Sequence, residues 1–173
     1  MRNVVSEPVT ATAEPPLEFV HAASLPVSAT SEGFIARGSA IRPATADAAT
    51  APAEAVADRF STALQAGDLG TVGGLLAEDV LILESGGAER SRAEYLQHHA
   101  ISDSEFLKTA HVQRLRRTAR IEGGMAWIGT ESEIHTTKDG QPLALLSTET
   151  MVLRETPSGW RIVHIHWSSR PKK

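Results

Sequence analysis

Partway along this chain the spacing of apolar residues changes, and that change limits the fold more than any single motif does. Val56, Phe60, Ala63 and Leu64 recur at three- and four-residue intervals, the period of one helix face, until Gly67 ends the run. Pro52 suits the first turn of that helix. Asp68 is placed to cap a second, short helix whose buried side holds Leu69, Val72, Leu75 and Leu76. After Asp79 the run Val80-Leu81-Ile82-Leu83-Glu84 reads as a strand halted by Ser85-Gly86-Gly87. Ser91 with Glu94 three residues on forms a capping box opening a third helix, Arg92 to about Ala100. Beyond that point the period becomes two. Segments near Val112–Ile121, Met125–Thr136, Leu143–Arg154 and Trp160–Ser168 are separated by Gly123-Gly124, Lys138-Asp139-Gly140 and Thr156-Pro157-Ser158-Gly159, all turn-forming. Helices first and long hairpins last specify an α+β fold in which a curved antiparallel sheet packs on N-terminal helices.

The change of period also sets the domain boundary. Residues 1–50 are rich in Ala, Thr, Ser, Pro and Glu without a sustained period, too poor in apolar surface to offset the entropy of ordering, and are expected to be a disordered tail. Residues 51–170 are expected to form the single folded domain. The 173 residues carry 17 basic and 21 acidic side chains, a net charge of -4, which gives no broad attraction to nucleic acid or to an anionic membrane. The cluster Arg114, Arg116, Arg117 and Arg120 reads as a solvated strand face. With no cysteine, disulfides, thiolate metal sites and thiol nucleophiles are excluded. There is neither a spanning apolar run nor a signal-peptide pattern, so the chain as written reads as cytoplasmic, or as exported if a leader precedes it.

The stretch Asp58-Arg59-Phe60-Ser61-Thr62-Ala63-Leu64-Gln65-Ala66-Gly67-Asp68-Leu69, followed by Leu75-Leu76-Ala77-Glu78-Asp79-Val80 and the closing Gly159-Trp160-Arg161-Ile162, resembles the SnoaL-like branch of the nuclear transport factor two-like superfamily. It is more distantly similar to the ketosteroid isomerases. The resemblance implies a cystatin-like cone of sheet around a long helix, a ligand pocket at its wide end, and frequent dimerisation through the outer sheet face. It does not fix an activity, because this fold hosts isomerases, cyclases, dehydratases and binders without catalysis.

Within that frame Glu84, closing the first strand, resembles the isomerases' general base. A carboxyl in a partly apolar cavity has its pKa raised by desolvation, as such a base requires. The alternative is that Glu84 caps the helix at Ser91 or pairs with Arg90 or Arg92. Glu149 is in phase with Met151 and Leu153 and should point inward, at the place of the isomerases' oxyanion-hole acid; a one-residue slip would reverse every face. The isomerases' helix tyrosine is matched by Phe60, which cannot donate a hydrogen bond. Losing such a donor typically costs about 2.7–4 kcal/mol of transition-state stabilisation. Tyr95, His98 and His99 on the third helix, together with Trp127, are expected at the pocket. His164 and His166 share one face of the last strand with Trp160, Ile162 and Ser168. His166 is then a catalytic candidate beside Glu84 and Glu149, and His164, His166 and His99 could hold a divalent metal; alternatively the histidines are pocket wall bonded to Glu149 and backbone. Two functions stay open: cofactor-free proton transfer on a small carbonyl or hydroxy compound, or a ligand- or metal-binding homodimer.

Overall fold

A computed structural model describes residues 48–173; the expected tail lies outside the described residues except for its last three positions. Helix α1, Ala51–Ala66, buries Ala53, Ala57, Phe60, Ala63 and Leu64 along one face. It ends at Gly67, which is left-handed (φ 77°), with Gly67 N–H donating to Leu64 O and Asp68 N–H to Ala63 O. A side chain at Gly67 would also collide with Lys108, whose Nζ would lie 2.7 Å from an added Cβ. Asp68 caps α2, Leu69–Leu75, by accepting from Thr71 N–H at 3.0 Å.

Strand β1 spans Leu76–Glu84 and β2 spans Gly87–Glu89; Glu84 pairs with Gly87 across a two-residue turn. Ser91 caps α3, Arg92–Gln97, accepting from Glu94 N–H, while the Glu94 carboxylate reaches back to Arg90 N–H. The expected single helix breaks at His98, and α4, His99–Thr109, carries the chain well past the expected end near Ala100. Gln65 of α1 donates to the Leu107 and Ala110 carbonyls at the end of α4.

Strands β3 (His111–Glu122), β4 (Met125–Lys138), β5 (Gln141–Thr156) and β6 (Gly159–Pro171) form the expected meander. The sheet order is β2-β1-β6-β5-β4-β3, with β1 parallel to β6 and every other pair antiparallel. One face of the sheet is the core. Its registered neighbours Ile82, Ile165, Met151 and Ile128 are all fully buried and run across four strands as one apolar row. Each such side chain contributes ~1.5–3 kcal/mol by leaving water.

Two bulges decide which residues face that core. In β6, Val152 pairs with His164 but Leu153 pairs with Ile162, so Val163 is an extra residue. Ile162 and Ile165, three apart, are therefore both buried. In β3, Arg114 pairs with Ser132 and Arg116 with Glu131, leaving Leu115 as the extra residue. Arg114 and Arg117 consequently share the inner face. Among the described residues no helix is long and apolar enough to cross a membrane.

Candidate functional site

Next to the apolar row lies a second registered row on the same face, and it is polar. Glu84 of β1 neighbours Trp167 of β6, Trp167 neighbours Glu149 of β5, Glu149 neighbours Thr130 of β4, and Thr130 neighbours Arg117 of β3. Trp167 Nε1–H donates to Glu149 Oε2 at 2.8 Å, and Arg117 Nε–H donates to Thr130 Oγ1 at 3.3 Å. Above this belt the Trp167 ring lies 6.4 Å from Phe60 and 6.3 Å from Tyr95, centroid to centroid. These three rings divide the belt into two halves.

On the β1 side, Glu84 is in phase with the buried Val80 and Ile82, so the strand turns its carboxyl inward. Burial, and then the charge of Asp103, push it up to about 7. The Tyr95 side chain is fully buried and its hydroxyl donates to Asp103 Oδ2 at 3.0 Å. Burial also raises Asp103, against the opposing effects of the Tyr95 hydrogen bond and the His99 charge. Burial and the neighbouring Asp103 hold the Tyr95 hydroxyl firmly in its protonated form. Arg92 and Arg90, the alternative partners considered for Glu84, reach Glu78 and the Ala88 carbonyl instead.

On the β3 side, burial raises Glu149, opposed by its Trp167 hydrogen bond, the Arg117 charge and Thr130. Asp58 of α1 closes this half, its Oδ1 accepting from Arg114 Nη1 at 2.8 Å and from Arg117 Nη1 at 2.7 Å.

Several expected positions are corrected. Because of the Val163 bulge, His164 and His166 lie on the outer sheet face with Val152 and Thr150, not with Ile162. His164 Nδ1 bonds the Leu81 carbonyl at 2.8 Å, and His166 is exposed. Trp167 takes the inward place. Trp127 is also outward, 45 % exposed, because β4 turns Ala126 and Ile128 to the core. His98 is exposed at the α3–α4 break, and His99 pairs with the buried Glu89 of β2. His99, His164 and His166 are thus divided between the helix layer and the outer sheet face. Among the described residues no group of three or more His, Asp or Glu side chains could hold a metal ion, so the donor set does not fit one. The Arg117 guanidinium, expected on a solvated strand face, belongs to the interior belt. Asp103 had no sequence signal beyond its place three residues after Ala100, on an element whose course the apolar pattern does not trace.

An α-helical layer inside a curved six-stranded sheet, with ionisable groups on the concave face, is the cystatin-like architecture. A family model described as the SnoaL-like domain matches residues 53–171, and the chain belongs to that family. A candidate ketosteroid isomerase from Shewanella frigidimarina is 34% identical, with a TM-score of 0.65 over 68% of this chain and 94% of that one. A nuclear transport factor two-like protein with a cystatin-like fold from Novosphingobium aromaticivorans is 19% identical, with a TM-score of 0.58 over 68% and 79%. A calcium/calmodulin-dependent kinase hub domain from S. rosetta is 18% identical, with a TM-score of 0.63 over 75% and 100%. None of the curated proteins matches the chain.

Proposed function

We propose that the β1 half of the belt is a proton-transfer site for a small carbonyl or hydroxy compound, of the isomerase, cyclase or dehydratase kind and independent of an organic cofactor. The observation that carries this reading is Glu84, an inward, half-buried carboxyl pushed up to about 7 beside a second half-buried carboxyl, Asp103. Near neutral pH such a group both accepts and returns a proton. Glu84 as carboxylate takes a proton from carbon next to the ligand carbonyl, the C–H pair becomes a C=C bond as the carbonyl π pair moves onto oxygen, and Glu84 returns the proton to another carbon of the enolate as that pair re-forms the carbonyl. The Tyr95 hydroxyl, with Asp103 behind it, supplies the hydrogen bond to that oxygen which Phe60 cannot. When Asp103 holds a proton it can donate to Tyr95 Oη, leaving the phenolic hydrogen for the ligand.

The test is exchange of α-protons in D2O, followed by proton NMR over a panel of small ketones and hydroxy ketones. Wild type is expected to exchange at least one member, and Glu84→Gln to slow that exchange by ~100-fold or more. Equal rates in the two proteins would remove Glu84 from the chemistry.

The packing of Phe60 and Tyr95 on Trp167 favours a second reading, a homodimer that binds a small ligand without transforming it. Leu81, His164, Val152 and Trp127 form one registered row on the outer sheet face, with Leu81 and Trp127 exposed, and a second copy would cover them. Sedimentation of Trp127→Arg against wild type checks the dimer, which the substitution should weaken.

A further inference from the structure

The other half of the belt has a composition that proton transfer does not use. We infer that Arg114 and Arg117 form a carboxylate-binding subsite, so that the ligand is an organic acid; this rests on the reading of the belt as a ligand site and adds the ligand's class to it. The Leu115 bulge brings the two guanidiniums onto one inner face, where strict alternation would have separated them. Both donate to the same oxygen, Oδ1 of Asp58. Each guanidinium carries a fork of N–H donors. Among the described residues the protein takes up only one Nη1 bond from each, together with Arg117 Nε–H to Thr130.

Glu149 does not fill the remainder. One of its oxygens accepts from Trp167, and no hydrogen bond joins it to either arginine among the described residues. The donors are also graded in exposure: the Arg114 side chain is 51% exposed and that of Arg117 11%. The neighbouring inner-face row continues from Arg114 through Ser132, Ser147 and Ser169, whose hydroxyls make no hydrogen bond among the described residues. A planar carboxylate matches a guanidinium fork, and the hydroxyl of Ser132, on the strand beside Arg114, supplies a further donor to its oxygens. The guanidinium pair and this hydroxyl suit an acid rather than a neutral polar compound.

The probes are hexanoate and its neutral counterpart hexanamide, titrated at neutral pH into the full chain while the side-chain N–H signals of both arginines are followed by NMR. Hexanoate is expected to move these signals and to bind ~10-fold or more tightly than hexanamide. Arg117→Gln should abolish the discrimination. Arg114→Gln, at the more exposed position, keeps the test alive should Arg117→Gln fail to fold, and should reduce it. Equal binding of the two probes, no binding of hexanoate, or discrimination that survives both substitutions overturns the proposal. None of those results bears on α-proton exchange by Glu84, so the two readings fail separately.

Discussion

Glu84 and Glu149 occupy the same registered row, two strands apart on either side of Trp167, yet their surroundings differ in kind. Around Glu84 burial and another acid, Asp103, both favour its neutral form. Around Glu149 burial acts in the same direction but meets an indole N–H, a guanidinium and a threonine hydroxyl. A third glutamate, Glu133, extends the contrast: Lys172 Nζ contacts both its oxygens, at 2.8 and 2.7 Å, and lowers its pKa. One residue type thus stands beside another acid, among hydrogen-bond donors and in an ion pair, and the difference comes from neighbours supplied by other strands and helices.

The comparison depends on the aromatic partition, and the largest effect should come from removing it. Phe60→Ala deletes a fully buried ring stacked on Trp167, and the loss of transfer energy plus the cavity should lower stability by ~3–5 kcal/mol in urea unfolding. A loss well below that range would mean the partition is loosely packed.

A smaller effect separates the halves by pH. The native value of Glu84, about 7, lies above the ordinary 4.5, so between these values the unfolded chain is ionised while the native group still holds its proton. Its stabilising contribution is complete below the unfolded value and is lost as pH rises through the native one. The shift corresponds to at most ~3 kcal/mol, and to roughly 1–2 kcal/mol after solvent screening of a partly exposed carboxyl. Glu84→Gln should therefore flatten the decline in unfolding free energy between mildly acidic and mildly alkaline pH. Matching slopes in the two proteins would place the titrating group elsewhere.

The smallest effect is expected from Trp167→Phe, which keeps a ring in the partition and removes its N–H. Stability should fall by about 1 kcal/mol. Carboxyl carbon NMR should show Glu149 titrating higher while Glu84 stays near its wild-type value. Parallel movement of both groups would show that the two halves are electrically continuous.

What the sequence disclosed follows the same division. The caps at Asp68 and Ser91, the apolar face of α1 and the four long strands are local signals, and each appears where its residues placed it, whereas Leu76, expected on the second helix, opens β1 and the third helix breaks at His98. The inward phase of Glu149 was legible from Met151 and Leu153 on its own strand, while Glu84 follows the continuous apolar run Val80-Leu81-Ile82-Leu83 and its place rested on the family resemblance. The bulges were not legible, since an extra Val or Leu inside an apolar strand leaves no compositional trace. They account for the outward histidines, the inward Trp167 and the inner-face Arg114, whereas Arg117 is in plain phase with Ala119 and Ile121. Helix α4 was hidden for another reason: Ile101 and Phe106 are exposed while Ala100 and Ser104 are buried, so its apolar pattern does not report its inner face. Asp103 was lost with it.

The extra residue in β6 also acts as an address shift for every position that follows it. Were Val163 drawn into the ladder as a regular residue, with no change of sequence, strict alternation from Ile162 would exchange the two lists, sending His164 and His166 to the concave side and Trp167 to the convex one. A single bulge therefore separates an interior lined with indole from one lined with imidazole. For a lineage that keeps its scaffold while varying its chemistry, closing or opening a bulge at such a point replaces a whole set of lining groups in one step, a change that point substitution could reach only through several intermediates.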